Sequence, residues 1–142
     1  MAKERKELHR GPLERLATLL MSGIFVHGGW EAFRSPSGRA TKAEALGLSN
    51  PELMVRVNAA TMMTAGTALA LGIKPKLTGL VLAGTLVPTT MAGHRFWEEG
   101  DPKGRSMQLT QFFKNLGILG GLLVLLSKRR TVRVPVCEPS EG

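Results

Sequence analysis

Two histidines, two tryptophans and two glutamates of this chain recur in one pattern. His27-Gly28-Gly29-Trp30-Glu31 and His94-Arg95-Phe96-Trp97-Glu98 both read His-x-x-Trp-Glu, with one constant offset at all three shared positions. On a helix, His and Glu four apart share a face, one turn from each other. Imidazole titrates near neutral pH and carboxylates accept hydrogen bonds, so each copy suits proton relay or the binding of a polar ligand. After each copy comes a helix with a basic residue near its start and an asparagine close behind: Arg56 with Asn58, Lys114 with Asn115. Gln108, Gln111 and Asn115 extend the second set as a polar stripe at i, i+3, i+7.

Three chemistries fit these residues. The structural one pairs Glu31 and Glu98 with Arg56 and Lys114 across helix interfaces, locking the helices together. The second is a quinone site, in which the imidazoles and carboxylates bond quinone carbonyls and relay protons while Trp30, Phe96, Trp97 and Phe112 flank the ring. The third is a cofactor centre, with His27 and His94 as axial haem ligands or a 2-His-2-Glu set on a divalent metal. Arg56 and Lys114 would repel such a cation.

The elements that must carry these residues are four apolar stretches of about 21 residues, at 13–33, 53–73, 77–97 and 107–127. At 1.5 Å per residue each is long enough for a hydrocarbon core of about 30 Å. The third and fourth are the most apolar in composition, whereas Arg15, His27 and Arg56 interrupt the first two. Mean hydropathy over the whole chain is only +0.02 because termini and connectors are charged. The expected fold is an all-α, integral membrane four-helix bundle in residues 13–127, after a basic arm (1–12) and before a basic, then disordered, tail (128–142). Ser49-Asn50-Pro51-Glu52 reads as a capping box, Gly72 and Pro75 as a tight turn, and Gly100–Gly104 as the turn before the last helix. Pro88 should kink the third helix, and Gly117…Gly121 should let the fourth approach a neighbour.

Charge sets the orientation. The arm, the 74–76 turn and the tail carry ten Lys/Arg, while the other two connectors carry six: Arg34, Arg39, Lys42, Arg95, Lys103 and Arg105. The positive-inside bias then makes both termini cytoplasmic, in a multi-pass protein of the plasma membrane. The net charge of +8 follows from topology and contact with anionic lipid. No basic face with interleaved aromatics marks a nucleic-acid binder. The single cysteine, Cys137, cannot form an internal disulfide or a two-thiol relay. The apolar run before His27 should stay in the mature protein rather than serve as a cleaved signal. The shared motif predicts a tandem repeat of two helical hairpins related by an axis along the membrane normal.

Several blocks resemble the DoxX family of small four-span bacterial membrane proteins. They are Phe25-Val26-His27-Gly28-Gly29-Trp30, Val55-Arg56-Val57, Ala65-Gly66 with Leu69-Ala70-Leu71-Gly72, Pro88-Thr89-Thr90 with His94 and Phe96-Trp97, and Asp101-Pro102 with Gln111-Phe112-Phe113-Lys114-Asn115-Leu116. The resemblance implies a four-helix membrane bundle associated with respiratory or thiol-oxidant stress chemistry. The family takes its name from the small subunit of a thiosulfate:quinone oxidoreductase. The expectation is therefore a membrane subunit of a redox or oxidant-resistance system. It would engage quinone at an outer-side cluster of His27, Trp30, Glu31, Arg56, His94, Trp97, Glu98, Gln111, Lys114 and Asn115. The alternatives are a non-catalytic scaffold recruiting redox enzymes and a haem- or metal-binding protein. Whether the chain is itself an enzyme, or a homo-oligomer, stays open at this point.

Overall fold

In the computed structural model, residues 11–127 are described, and among them the chain is all-helical. The basic arm up to Arg10, the tail from Lys128 with its expected disorder, and Cys137 lie outside the described residues. Five helices follow in order: α1 Pro12–Arg34, α2 Ser37–Glu44, α3 Pro51–Ala70, α4 Pro75–Gly93 and α5 Pro102–Ser127. The four long ones all begin on proline, whose fixed φ suits a first turn and whose missing N–H is no loss there. The 70–75 turn forms through Gly72 and Lys74, both at positive φ. Ile73 N–H reaches back to Ala68 O at 2.8 Å there, in the manner of a Schellman cap.

Four local expectations are corrected. The third apolar stretch ends as a helix at Gly93 rather than at 97, so His94–Glu98 is a turn and not the face of a helix. The capping box does not form: α3 starts at Pro51 as expected, but Asn50 sits in the left-handed region and no side chain caps the helix. The long first connector contains the unforeseen α2, which buries Ala40 and Ala43 at i, i+3. The last helix also starts five residues earlier than the apolar run implies, where Asp101 Oδ2 accepts the Gly104 N–H at 2.8 Å.

Helix α1 lies along α3, α3 packs on α4, α4 on α5, and α2 covers the α3–α4 pair at one end. The α1–α3 seam is closest because small residues line it. A Cβ added at Gly29 would stand 2.8 Å from the Ala59 carbonyl oxygen and 2.8 Å from Met63 Cγ. One at Gly66 would stand 3.1–3.4 Å from Val26, Phe25 and the Ser22 carbonyl oxygen. Helices lacking side chains at the contact approach until backbones nearly touch. The core where α1, α3, α4 and α5 meet is narrow: Phe25, Met62, Ala65, Leu69, Leu82, Leu86, Leu122 and Leu125. Met21 of α1 closes the circuit against Gly121 of α5, while Gly117 faces open space, so only one end of the G-x-x-x-G pattern meets a neighbour.

Most of the remaining large apolar side chains point outward. Leu13, Leu20, Leu53, Leu71, Leu80, Phe113, Leu123 and Val124 are all exposed, and each long helix contributes some of them. Soluble helices segregate such residues onto one buried stripe; helices apolar on both faces suit a hydrocarbon surrounding. Among the described residues, one helix, Pro102–Ser127, is both long and apolar enough to cross a membrane. The third stretch does not match the fourth in this respect: its helix is shorter, 19 residues against 26, and includes Lys76 in its first turn.

Candidate functional site

Two asparagines hold α4 from opposite sides. Asn58 of α3 donates to Thr89 Oγ1 at 3.0 Å, and Asn115 of α5 donates to Thr90 Oγ1 at 3.0 Å. Each threonine passes a hydrogen bond on to the carbonyl four residues back, Thr85 O and Leu86 O, at 2.7 Å. Asn115 and Thr90 are buried, so neither could remain there unpaired without a substantial desolvation cost. These are the asparagines that follow the two basic residues in the sequence pattern. They clasp adjacent threonines, right after the helix-interior Pro88.

Beside this clasp opens a cavity of about 590 Å³ to which all five helices contribute. Its floor is apolar: Phe25 from α1, Met62 from α3, Leu86 from α4 and Ile118 from α5. Its polar lining is Asn58, Thr89 and the buried Asn115, with Ser35, His94, Lys114 and the α2 residues Arg39 and Lys42 at the more exposed mouth. A mostly apolar concavity with a few convergent polar groups is the usual form of a small-molecule site, and the volume lies within the ordinary range of about 300–1,000 Å³.

His94 stands at this mouth, one residue past the end of α4. Its Nδ1 meets Gln108 Oε1 at 2.9 Å; an amide oxygen only accepts, so Nδ1 carries the proton and Nε2 is the acceptor. Burial pushes the imidazole below its ordinary value of 6.5; the bond to Gln108 opposes this, and the charges of Lys114, Lys42 and Arg39 add to the lowering. The lowering favours the uncharged ring. Lys42 is anchored by a 2.8 Å bond from Nζ to Gly93 O, placing a cation on the final carbonyls of α4. Arg56 does the same for α1: Nη1 donates to Phe33 O at 3.0 Å, and the guanidinium lies 5.5 Å over the Phe33 ring.

The ten residues expected to form one cluster divide into separate settings. His94, Lys114 and Asn115 reach the cavity. Gln111 is held by Lys114, whose Nζ donates to its Oε1. Trp97 joins Phe96, Phe112 and Phe113 in an edge-to-face cluster with centroids 5.0–6.1 Å apart; it fastens the 94–98 turn to α5 and does not line the cavity. Glu98 pairs with Arg95 Nη1 at 2.6 Å. His27, Trp30 and Glu31 do not line the cavity. They lie on the exposed side of α1, where Arg34 covers the Trp30 ring at 5.6 Å.

Neither expected cross-helix pair, Glu31 with Arg56 or Glu98 with Lys114, forms among the described residues. The basic partners bond a carbonyl and an amide instead. His27 and His94 belong to different surfaces, and no group of three or more His, Cys, Asp and Glu comes together among the described residues. Arg39, Lys42, Thr89 and Ser35 are the polar cavity residues that the sequence pattern did not single out. The Ala40/Ala43 spacing in an otherwise polar connector is the signal that places the first two.

The architecture is that of an all-helical protein whose long helices keep apolar side chains on their outer surface, a membrane type. The family model for DoxX matches residues 16–95, and the chain belongs to this family of membrane proteins. It is 29% identical over 110 residues to inner membrane protein YqjF of Escherichia coli (strain K12), covering 78% of each chain. No solved structure matches. The family match ends before α5, so Lys114, Asn115 and Ile118 are contributions to the cavity from outside the matched stretch.

Proposed function

We propose that this DoxX-family chain is a multi-pass subunit of a redox or oxidant-resistance system in the plasma membrane, and that it engages a quinone headgroup in the five-helix cavity. The supporting observation is the cavity itself: an apolar floor, a polar lining of two asparagines and hydroxyls, and at the mouth an imidazole that favours its uncharged form. The residues fit the group. A quinone ring needs apolar walls and a few donors for its carbonyls, and a quinol hydroxyl needs an acceptor, for which His94 Nε2 is available. In this reading α1, α3, α4 and α5 are the four spans, with α2 and the 94–98 turn at the outer surface and both termini cytoplasmic. The ten-to-six distribution of Lys/Arg supports that orientation, and the inner-membrane name of the relative supports the plasma-membrane location.

The direct experiment is lipid extraction from protein purified out of its native membrane. Near-stoichiometric quinone is expected, and its loss is expected in Ala92→Trp, which fills the cavity. Equal quinone in both preparations, or none in the wild type, would remove the reading. Reporters placed after Val134 and at Lys103 should report cytoplasm and outer side respectively.

A further inference from the structure

The cavity contains a charge imbalance that a neutral ligand does not explain. Arg39, Lys42 and Lys114 line it, and no Asp or Glu does, among the described residues. Lys42 and Lys114 bond neutral groups, the Gly93 carbonyl and the Gln111 amide, so neither positive charge is balanced by its partner. No Asp or Glu forms an ion pair with any of the three among the described residues, and Glu98 holds Arg95 instead. Three like charges around one half-enclosed mouth repel one another more strongly than they would in open water. A negative charge placed between them turns that repulsion into attraction.

We infer that the cavity binds an amphiphile carrying an oxyanion, its negative head held by Arg39, Lys42 and Lys114 and its apolar body seated between Phe25, Met62, Leu86 and Ile118. The polar head and the apolar floor together define the ligand class. A free inorganic anion would leave the floor empty, and a neutral lipid tail would leave the cations unmatched. Placement of the cations supports the same class. Two come from α2 and one from α5, so the head would be gripped from two sides, and α2 serves as the element that selects charge. Ring oxyanions (a deprotonated quinol or hydroxyquinone) and acyl-chain carboxylates share this chemistry. The ring source rests on the quinone reading above; the anion site itself does not.

The test titrates the full-length protein in nanodiscs with three probes, read by calorimetry. These are a 3-alkyl-2-hydroxy-1,4-naphthoquinone, ionised at neutral pH; its O-methyl ether, of the same shape and neutral; and dodecanoate. Charge-assisted contacts should make the hydroxyquinone bind about tenfold tighter than the ether or more, with the gap narrowing in Arg39→Gln and Lys114→Gln and at high salt. Equal binding of acid and ether, unmoved by either substitution, would overturn the anion site and leave the quinone reading intact. Binding of dodecanoate with the same dependence on Arg39 and Lys114, while neither naphthoquinone binds, would uphold the anion site and remove the quinone reading. Binding of none of the three would remove both. Arg39 is exposed on a short helix and holds no described partner, so Arg39→Gln carries the comparison even where Lys114→Gln does not fold.

Discussion

The two His-x-x-Trp-Glu segments have the same residues at the same spacing and meet opposite fates. The first is wholly helical, and its His, Trp and Glu face outward from α1; the intervening Gly28 and the following Ala32 are what face the cavity. The second lies past the end of α4, where the chain turns, so His94 swings to the cavity mouth while Trp97 and Glu98 fasten the turn from outside. Neighbouring positions on a helix are separated by roughly 100° of rotation, so a ridge through residues 24, 28 and 32 excludes one through 27 and 31. Spacing alone therefore cannot assign a motif to a site; the face it occupies does.

The sharpest way to break this comparison is at the glycine pair of the first segment. Gly29→Ala places a methyl against the Ala59 carbonyl and Met63, whereas Gly28→Ala meets only the flexible end of Met62 at 3.8 Å. Overpacking of this kind costs about 1–3 kcal/mol, so thermal unfolding in detergent should show a clear loss for Gly29→Ala and little change for Gly28→Ala. Equal effects would mean that the first segment is not fixed by the α1–α3 seam.

The asparagine clasp sharpens the same contrast between the two halves of the sequence pattern. Asn115→Ala removes the partner of a buried threonine and should cost about 1–2 kcal/mol; Asn58→Ala, at a half-buried site, should cost less, about 0.5–1 kcal/mol. Chemical denaturation of both variants checks the order, and a reversed order would contradict the burial difference.

Much of the fold was legible, and for identifiable reasons. Apolar length placed four long helices, and Pro51 marked where the second of them starts, since both depend on local backbone and hydropathy. The Asn58/Asn115 correspondence was also visible, because each follows a basic residue early in a helix. Helix ends at 93 and 102 and the selection of a helix face were not legible, since tertiary packing decides both. Arg56 and Lys114 were misassigned to carboxylates because a sequence shows charge but not the carbonyl oxygens at the end of α1 or the amide of Gln111 that receive them. In α2, two buried alanines were too weak an apolar signal to stand out in a polar connector.

Titration of His94 gives a test at a smaller scale. The His94 pKa is lowered in the folded state, so between 6.5 and that lower value the unfolded chain binds more protons. Its contribution is therefore complete above pH 6.5 and declines as pH falls through this window. Melting curves from pH 7.5 to 5 should show this slope, and His94→Gln should flatten it. An unchanged slope in the variant would assign the dependence to other groups. The least effect is expected at the exposed Arg95–Glu98 pair, where Glu98→Gln should change stability by about 0.2–1 kcal/mol at most in the same assay.

The central claim is that the second segment brings its histidine, His94, to the proposed ligand site, whereas His27 of the first stays outside it. Binding of a 3-alkyl-1,4-naphthoquinone to purified wild type, His27→Leu and His94→Leu, followed by calorimetry, tests it most directly. Loss of one hydrogen-bonding group in a desolvated site should weaken binding by about tenfold in His94→Leu, with His27→Leu matching wild type. Equal losses in both variants, or a loss confined to His27→Leu, would contradict the account.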